Sequence, residues 1–165
     1  MVKRLKLRAV DEEDLRTMAA ILQDALVPVA EMTYLPEERR FVLVANRFRW
    51  ETEHDPALAV AADGEEPAAG PVFERVLTGL CFEGVTAVRL KNVERRRGSR
   101  LLELLHLDWV PGCITLMFAG DSVIRLEMAT ISCRLDDICE PWPTPFRPRH
   151  QIDADETETG CGGLR

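Results

Sequence analysis

Residues 29–51 read VAEMTYLPEERRFVLVANRFRWE, and their reading decides the fold. Apolar residues run up to Leu35, Pro36 to Arg39 supply a turn, and an alternating segment returns from Phe41 to Trp50. Two strand-like runs joined by a short proline-led turn are the signature of a β-hairpin. On the return strand Phe41, Leu43 and Ala45 fall on one face, while Val42, Val44, Phe48 and Trp50, with Asn46, fall on the other. Apolar character on both faces at the start of this strand predicts a central position, covered from each side. Arg47 and Arg49 alternate with the aromatic pair at the far end, which predicts an aromatic core side and a basic surface side there.

The segments on either side extend the same pattern. Residues 4–10, RLKLRAV, predict a short strand. Asp11 then caps a helix whose first turn is acidic (Glu12, Glu13, Asp14), in keeping with the helix dipole. Leu15, Met18, Ala19, Leu22, Ala25 and Leu26 continue it as one apolar stripe, which reads as core packing. Residues 73–93 read as two strands broken near Glu83 and Gly84. LLELLHLDWV, from Leu101 to Val110, places Leu105, Leu107 and Trp109 inward and His106 with Asp108 outward. After a turn at Pro111 and Gly112, a second hairpin sets Ile114, Leu116 and Phe118 against Ile124, Leu126 and Met128 around Gly120 and Asp121. TISCRLDDI predicts a short closing helix with Ile131, Leu135 and Ile138 on its apolar side. In EPWPTPFRPRH, prolines 141, 143, 145 and 148 forbid regular structure and predict an extended strap. Trp142 and Phe146 either pin that strap to the domain or offer it to a partner.

Strand runs joined by tight turns demand an antiparallel sheet, so the fold class is α+β. The expectation is a strongly bent sheet or half-barrel with one N-terminal helix and a short C-terminal helix. A pleckstrin-homology-like barrel closed by the last helix is one version of it.

The chain has 165 residues, enough for one domain burying roughly 68–70% of its unfolded surface. Its net charge of −7 is unevenly placed: residues 51–70 carry −6 and residues 151–165 carry −3, leaving the remainder at +2. Both acidic segments are rich in Ala, Gly, Pro and Thr and poor in core material. The expected organisation is a single domain over residues 1–150, with a flexible acidic loop at 51–71 and a disordered acidic tail at 151–165.

The N-terminus lacks the apolar core and cleavage site of a secretory signal, and no apolar run approaches the roughly 20 residues that cross a bilayer. A cytoplasmic protein without membrane contact is expected. Five cysteines, without CxxC spacing or clustered histidines, signal neither zinc nor a redox dithiol, and Cys161 lies in the acidic tail. Neither HExxH nor a glycine-rich phosphate loop occurs, so no metal and no cofactor is expected.

The segments LKLRAVDEEDLRTMAAILQDALV, YLPEERRFVLVANRFRWE, LTGLCFEGVTAVR and ITLMFAGDSVIRLEMATISCRLDDI resemble a small alphaproteobacterial family catalogued only as a domain of unknown function. The resemblance covers residues 5–143. It implies no activity, cofactor or catalytic residue. It also implies a gene neighbourhood beside histidinol dehydrogenase and the enolpyruvyl transferase of cell-wall synthesis.

Candidate sites are sparse. Arg95, Arg96, Arg97 and Arg100 flank Gly98 between two strands. They read as a solvated turn, as a phosphate-binding patch joined by Arg89 and Lys91, or as a counterpart to the acidic segments. His106 and Asp108 share a strand face, the one pair suited to acid-base work, but no nucleophile motif accompanies them. The favoured reading is a non-catalytic binding or regulatory domain that contacts another protein or a second copy of itself, through Trp142, Phe146 and sheet edges. An RNA- or DNA-binding regulator using Arg95 to Arg100 is the alternative, and an enzyme around His106 and Asp108 comes third.

Overall fold

The computed structural model describes residues 3–52, 73–94 and 100–148. In chain order these form β1 (Lys6–Ala9), α1 (Glu12–Ile21), β2 (Ala25–Pro28), a 3-10 turn (Val29–Glu31), β3 (Met32–Leu35), β4 (Arg40–Phe48) and a second 3-10 turn (Trp50–Thr52). Then follow β5 (Phe73–Glu83), β6 (Val85–Lys91), β7 (Leu101–Val110), β8 (Cys113–Phe118), β9 (Val123–Met128), β10 (Cys133–Asp137) and β11 (Trp142–Thr144). The expected flexible loop at 51–71 lies outside the described residues from residue 53 on, as does the tail at 151–165.

The β3–β4 hairpin forms, with Met32 opposite Leu43 and Leu35 opposite Arg40. β5 pairs along the whole of β4, and β10 and β1 follow it. This register stacks apolar residues in rows across four strands: Phe41, Phe82, Cys133 and Ala9 in one, Leu43, Leu80, Leu135 and Leu7 in the next. Most of these side chains are wholly buried, each contributing about 1.5–3 kcal/mol for the larger ones. On the other side β4 passes to β2, and the order continues through β7, β8 and β9 to β6.

All pairings are antiparallel, and among the described residues no pair joins β1 to β6, so the sheet stays open. It is nevertheless bent back on itself. β5 and β6 are separated by Gly84 alone yet stand six places apart in the sheet order. Gly84, at φ 78°, makes the corner. The corner is tied down where Val85 N–H donates to Arg39 O (2.8 Å) and Tyr34 Oη–H donates to Val85 O (3.1 Å). Helix α1 contacts both β1 and β7 and buries Leu15, Met18 and Ala19, so it fills the inside of the bend. Its N-cap is as expected: Asp11 Oδ1 accepts from Asp14 N–H at 2.8 Å, while Asp14 Oδ2 accepts from Val10 N–H at 3.1 Å.

Four expectations are corrected. The helix stops at Ile21, and Ala25 and Leu26 belong to β2. Asp24, at φ 60°, turns the chain, and Ala25, Val27 and Val29 are buried at the two-residue period of a strand. No C-terminal helix forms at residues 131–138, where β10 pairs on both sides instead. Ile131, Cys133, Leu135 and Asp137 are buried in alternation; the spacing of Ile131, Leu135 and Ile138 mimicked a helical stripe. The pleckstrin-homology-like plan, which needs that helix and a closed barrel, falls with it. Leu105 is not inward but 45% exposed, because a bulge between Leu104 and His106 shifts the phase of β7 and leaves Leu104 and Leu107 inside.

The fourth correction concerns Arg47. It continues the inward row of Phe41, Leu43 and Ala45 and has no solvent exposure at all. Its guanidinium grips Asp137 side-on, through Nε (3.0 Å) and Nη2 (2.8 Å), and Glu51 end-on, through Nη1 (3.0 Å) and Nη2 (2.8 Å). Phe48 O accepts a further bond from Nη1 at 3.5 Å. Thr78 Oγ1 accepts from Nε and donates to Asp137, and Asp137 Oδ2 also accepts from Leu5 N–H. Burial is the largest single influence on the Asp137 and Glu51 carboxyls and raises both, but the sum of the opposing influences outweighs it. For Asp137 these are the hydrogen bonds from Arg47, Thr78 and Leu5 N–H and the Arg47 charge. For Glu51 they are the hydrogen bonds from Arg47 and a backbone N–H and the charges of Arg47 and Arg49. Both carboxyls therefore lie below their ordinary values of 3.8 and 4.5.

Removing one partner from a buried ion pair costs about 3–5 kcal/mol, so Asp137→Ala should lower unfolding free energy by that order in urea titrations. The two depressed carboxyls stabilise the fold above their unfolded pKa values, a contribution lost as pH falls through the folded ones. Stability should therefore hold level from neutrality to about pH 5 and then fall, with a shallower acid limb in Asp137→Asn. An unchanged limb in that variant would contradict the assignment.

Candidate contact surface

The same strands that line the core carry a second set of rows on their other face. Thr33, Val42, Cys81 and Arg134 stand side by side across β3, β4, β5 and β10, and Val44, Gly79 and Asp136 form the next row. Gly79 has no side chain, so the floor dips there. Ile138 leans over it, its Cγ2 3.6 Å from where a Cβ would stand. The first 3-10 turn, with Ala30 and Glu31, makes one wall; Arg134, Asp136 and Ile138 make the other, and the groove between them encloses about 570 Å³.

The groove floor is apolar and its rims are charged. Val42, Val44 and Cys81 are half-buried, and Ile138 is 49% exposed. On the rims Glu31 faces solvent, Arg134 bonds the Glu83 carboxylate, and Asp136 lies 3.9 Å from Lys6. Neighbouring Glu83 holds the Arg134 guanidinium above its ordinary pKa. Such a surface can accept an extended segment with apolar side chains and polar flanks.

A second assembly lies at the far end of β4, where Phe48 is buried beneath Trp50 (4.5 Å between ring centroids) and Phe73 (5.5 Å). Arg75 lies 6.0 Å over the Phe48 ring, and burial lowers its pKa. Trp50 Nε1–H donates to Gln23 O at 3.1 Å, and Arg147 caps the Trp50 ring at 5.8 Å. The proline-rich strap ends here. Its β11 pairs with β5, placing Trp142 opposite Arg75, and leaves Trp142 half-buried while Phe146 is 76% exposed. One of the two strap aromatics thus docks, and the other faces solvent.

The remaining candidates are dispersed. Arg95, Arg96 and Arg97 lie outside the described residues. Arg100 is engaged, donating to Asn92 O (3.2 Å) and Ser122 Oγ (3.3 Å), while Arg89 bonds Glu127 at 2.8 Å and Lys91 is exposed. His106 and Asp108 both face solvent on β7, on the outward side as expected, and no hydrogen bond or ion pair joins them among the described residues. No cluster of three or more His, Cys, Asp or Glu able to hold a metal occurs among the described residues. No helix there is long and apolar enough to cross a membrane. Sequence reasoning missed the groove and the buried Arg47 cluster. The signal for Arg47 was its parity, shared with Phe41, Leu43 and Ala45.

Fold and surface together define an open, bent antiparallel sheet wrapped round one helix, with an apolar groove on its outer face. The chain belongs to the family described as "Protein of unknown function (DUF2948)", whose match spans residues 5–150 and so takes in the strap beyond the expected end at residue 143. No curated protein and no solved structure matches it.

The thiols provide a check on this geometry. Cys133 is fully buried, burial pushes its thiol up, and Cys113 is nearly as enclosed, whereas Cys81 in the groove floor and Cys139 are partly open. Iodoacetamide should therefore modify Cys81 and Cys139 in the folded protein well before Cys113 and Cys133, as read by peptide mass mapping. Equal labelling of Cys133 and Cys81 would contradict the placement of the groove.

Proposed function

We propose that this is a non-catalytic cytoplasmic binding domain that acts by contacting another protein, whose extended segment lies in the outer-face groove. The observation that carries this reading is the apolar floor of Val42, Val44, Gly79 and Cys81 between charged walls. The charges favour one kind of occupant: Glu31 on one wall and Arg134 with Asp136 on the other suit a peptide with polar flanks of both signs around an apolar centre. Phe146, exposed on the strap, gives a second apolar contact at the other end of β5.

Val44 points away from the core, so Val44→Glu places a charge in the groove while leaving the inner rows intact. Tagged full-length protein, retained from its own cell lysate after nuclease treatment, should hold a discrete protein that Val44→Glu loses. Retention unaffected by Val44→Glu would move the contact elsewhere, and nuclease-sensitive material alone would overturn the reading in favour of nucleic acid. Light scattering on the purified chain would register a second copy as the partner.

A further inference from the structure

The two carboxylates on Arg47 are not equivalent. Asp137 is built into β10, 6% exposed, and held also by Thr78 and by Leu5 N–H. It alone balances the Arg47 charge. Glu51 sits on a three-residue 3-10 turn with its side chain 37% exposed, between the buried guanidinium and solvent. It adds a second negative charge, and Arg49 answers it: Arg49 Nε lies 3.5 Å from Glu51 Oε1. Two guanidinium groups thus converge on one carboxylate that comes from a short turn rather than from the sheet.

We propose that Arg47 and Arg49 form a carboxylate-binding site that Glu51 occupies in cis, and that an exogenous carboxylate takes its place when the Glu51 side chain rotates out to solvent, Trp50 staying anchored on Phe48 and Gln23 O. The end-on edge of Arg47 presents Nη1 and Nη2 to the two Glu51 oxygens at 3.0 and 2.8 Å, the bidentate pattern by which a guanidinium recognises a carboxylate. Because Asp137 holds Arg47 side-on from within the sheet, that edge stays in place when Glu51 leaves. The nearby carboxylates of Asp137 and of Glu74, which bonds Arg49, disfavour a phosphate dianion and favour a monoanion. A free organic acid and an acidic side chain of a partner share this chemistry. The site lies on the core side of β4 and stands independently of the groove.

Sodium formate titrated into the full 165-residue chain tests this, with sodium chloride at matched ionic strength as control, read by thermal midpoint and by the amide NMR signals of residues 47–51. Glu51→Ala should lower the midpoint, and formate, but not chloride, should restore it saturably. Wild type should bind formate about tenfold more weakly or worse, because its site is open only a fraction of the time, and the Trp50 and Glu51 amides should shift as it binds. Arg49→Gln combined with Glu51→Ala should weaken formate binding. If Glu51→Ala fails to fold, Glu51→Gln, whose amide cannot replace a carboxylate, takes its place. Equal affinity in wild type and variant, recovery with chloride alone, or a preference for phosphate would each overturn the assignment. A longer dicarboxylic acid and an acidic peptide, compared with formate, would separate a free acid from a partner's side chain.

Discussion

A guanidinium shut off from water must find acceptors for all five of its N–H groups inside the protein, and that demand on Arg47 organises one end of the domain. Meeting it draws in a carboxylate from β10, a hydroxyl from β5, a carbonyl from β4 and a carboxylate from the turn after it. Asp137 in turn holds the backbone ahead of β1 through Leu5 N–H. Buried ion pairs contribute little net stability, since desolvation offsets their attraction. The free energy comes instead from the apolar rows beside them. What the ionic cluster adds is register: slipping β10 by one residue against β5 would turn Asp137 to the outer face and leave Arg47 uncompensated in the core.

The same logic of faces governs where the domain can be touched. An open sheet has free edges, and both ends of this one carry cations, Lys6 and Arg8 on β1 and Arg89 and Lys91 on β6. Charged edge strands discourage strand addition, by a partner or by a second copy. The outer face between them is different. Its middle is apolar because β4 and β5 are central strands, and it dips at Gly79 because one cross-strand position has no side chain. Contact through the face is thus better favoured than contact through an edge.

Much of this fold was legible because strands with one core-facing side alternate. The β3–β4 and β8–β9 hairpins, the break at Gly84 and the Asp11 cap all follow from local pattern and turn chemistry. The misreadings arose where two periods coincide or where phase changes. Residues 131–138 satisfy both a helical and a strand spacing, and only pairing with β5 and β1 selects the strand. A bulge at Leu105 resets β7 without any sequence mark of its own. Charge argues for an outer Arg47 where its parity with Phe41, Leu43 and Ala45 puts it inside, and two of its acceptors, Thr78 and Asp137, come from 31 and 90 residues further along the chain. The groove was illegible for a related reason: its lining joins residues from four strands whose order is not that of the sequence.

Alternation also separates the two surfaces to which function is assigned. Val44 and Arg47 are three residues apart on β4, yet the first belongs to the outer groove and the second to the inner ionic cluster. An odd spacing on a strand guarantees opposite faces, so neither site shares a side chain with the other. A substitution at Val42 or Val44 reports on the groove, and one at Arg47 reports on the proposed carboxylate site. Alternation along β4 therefore keeps the two functional readings physically independent.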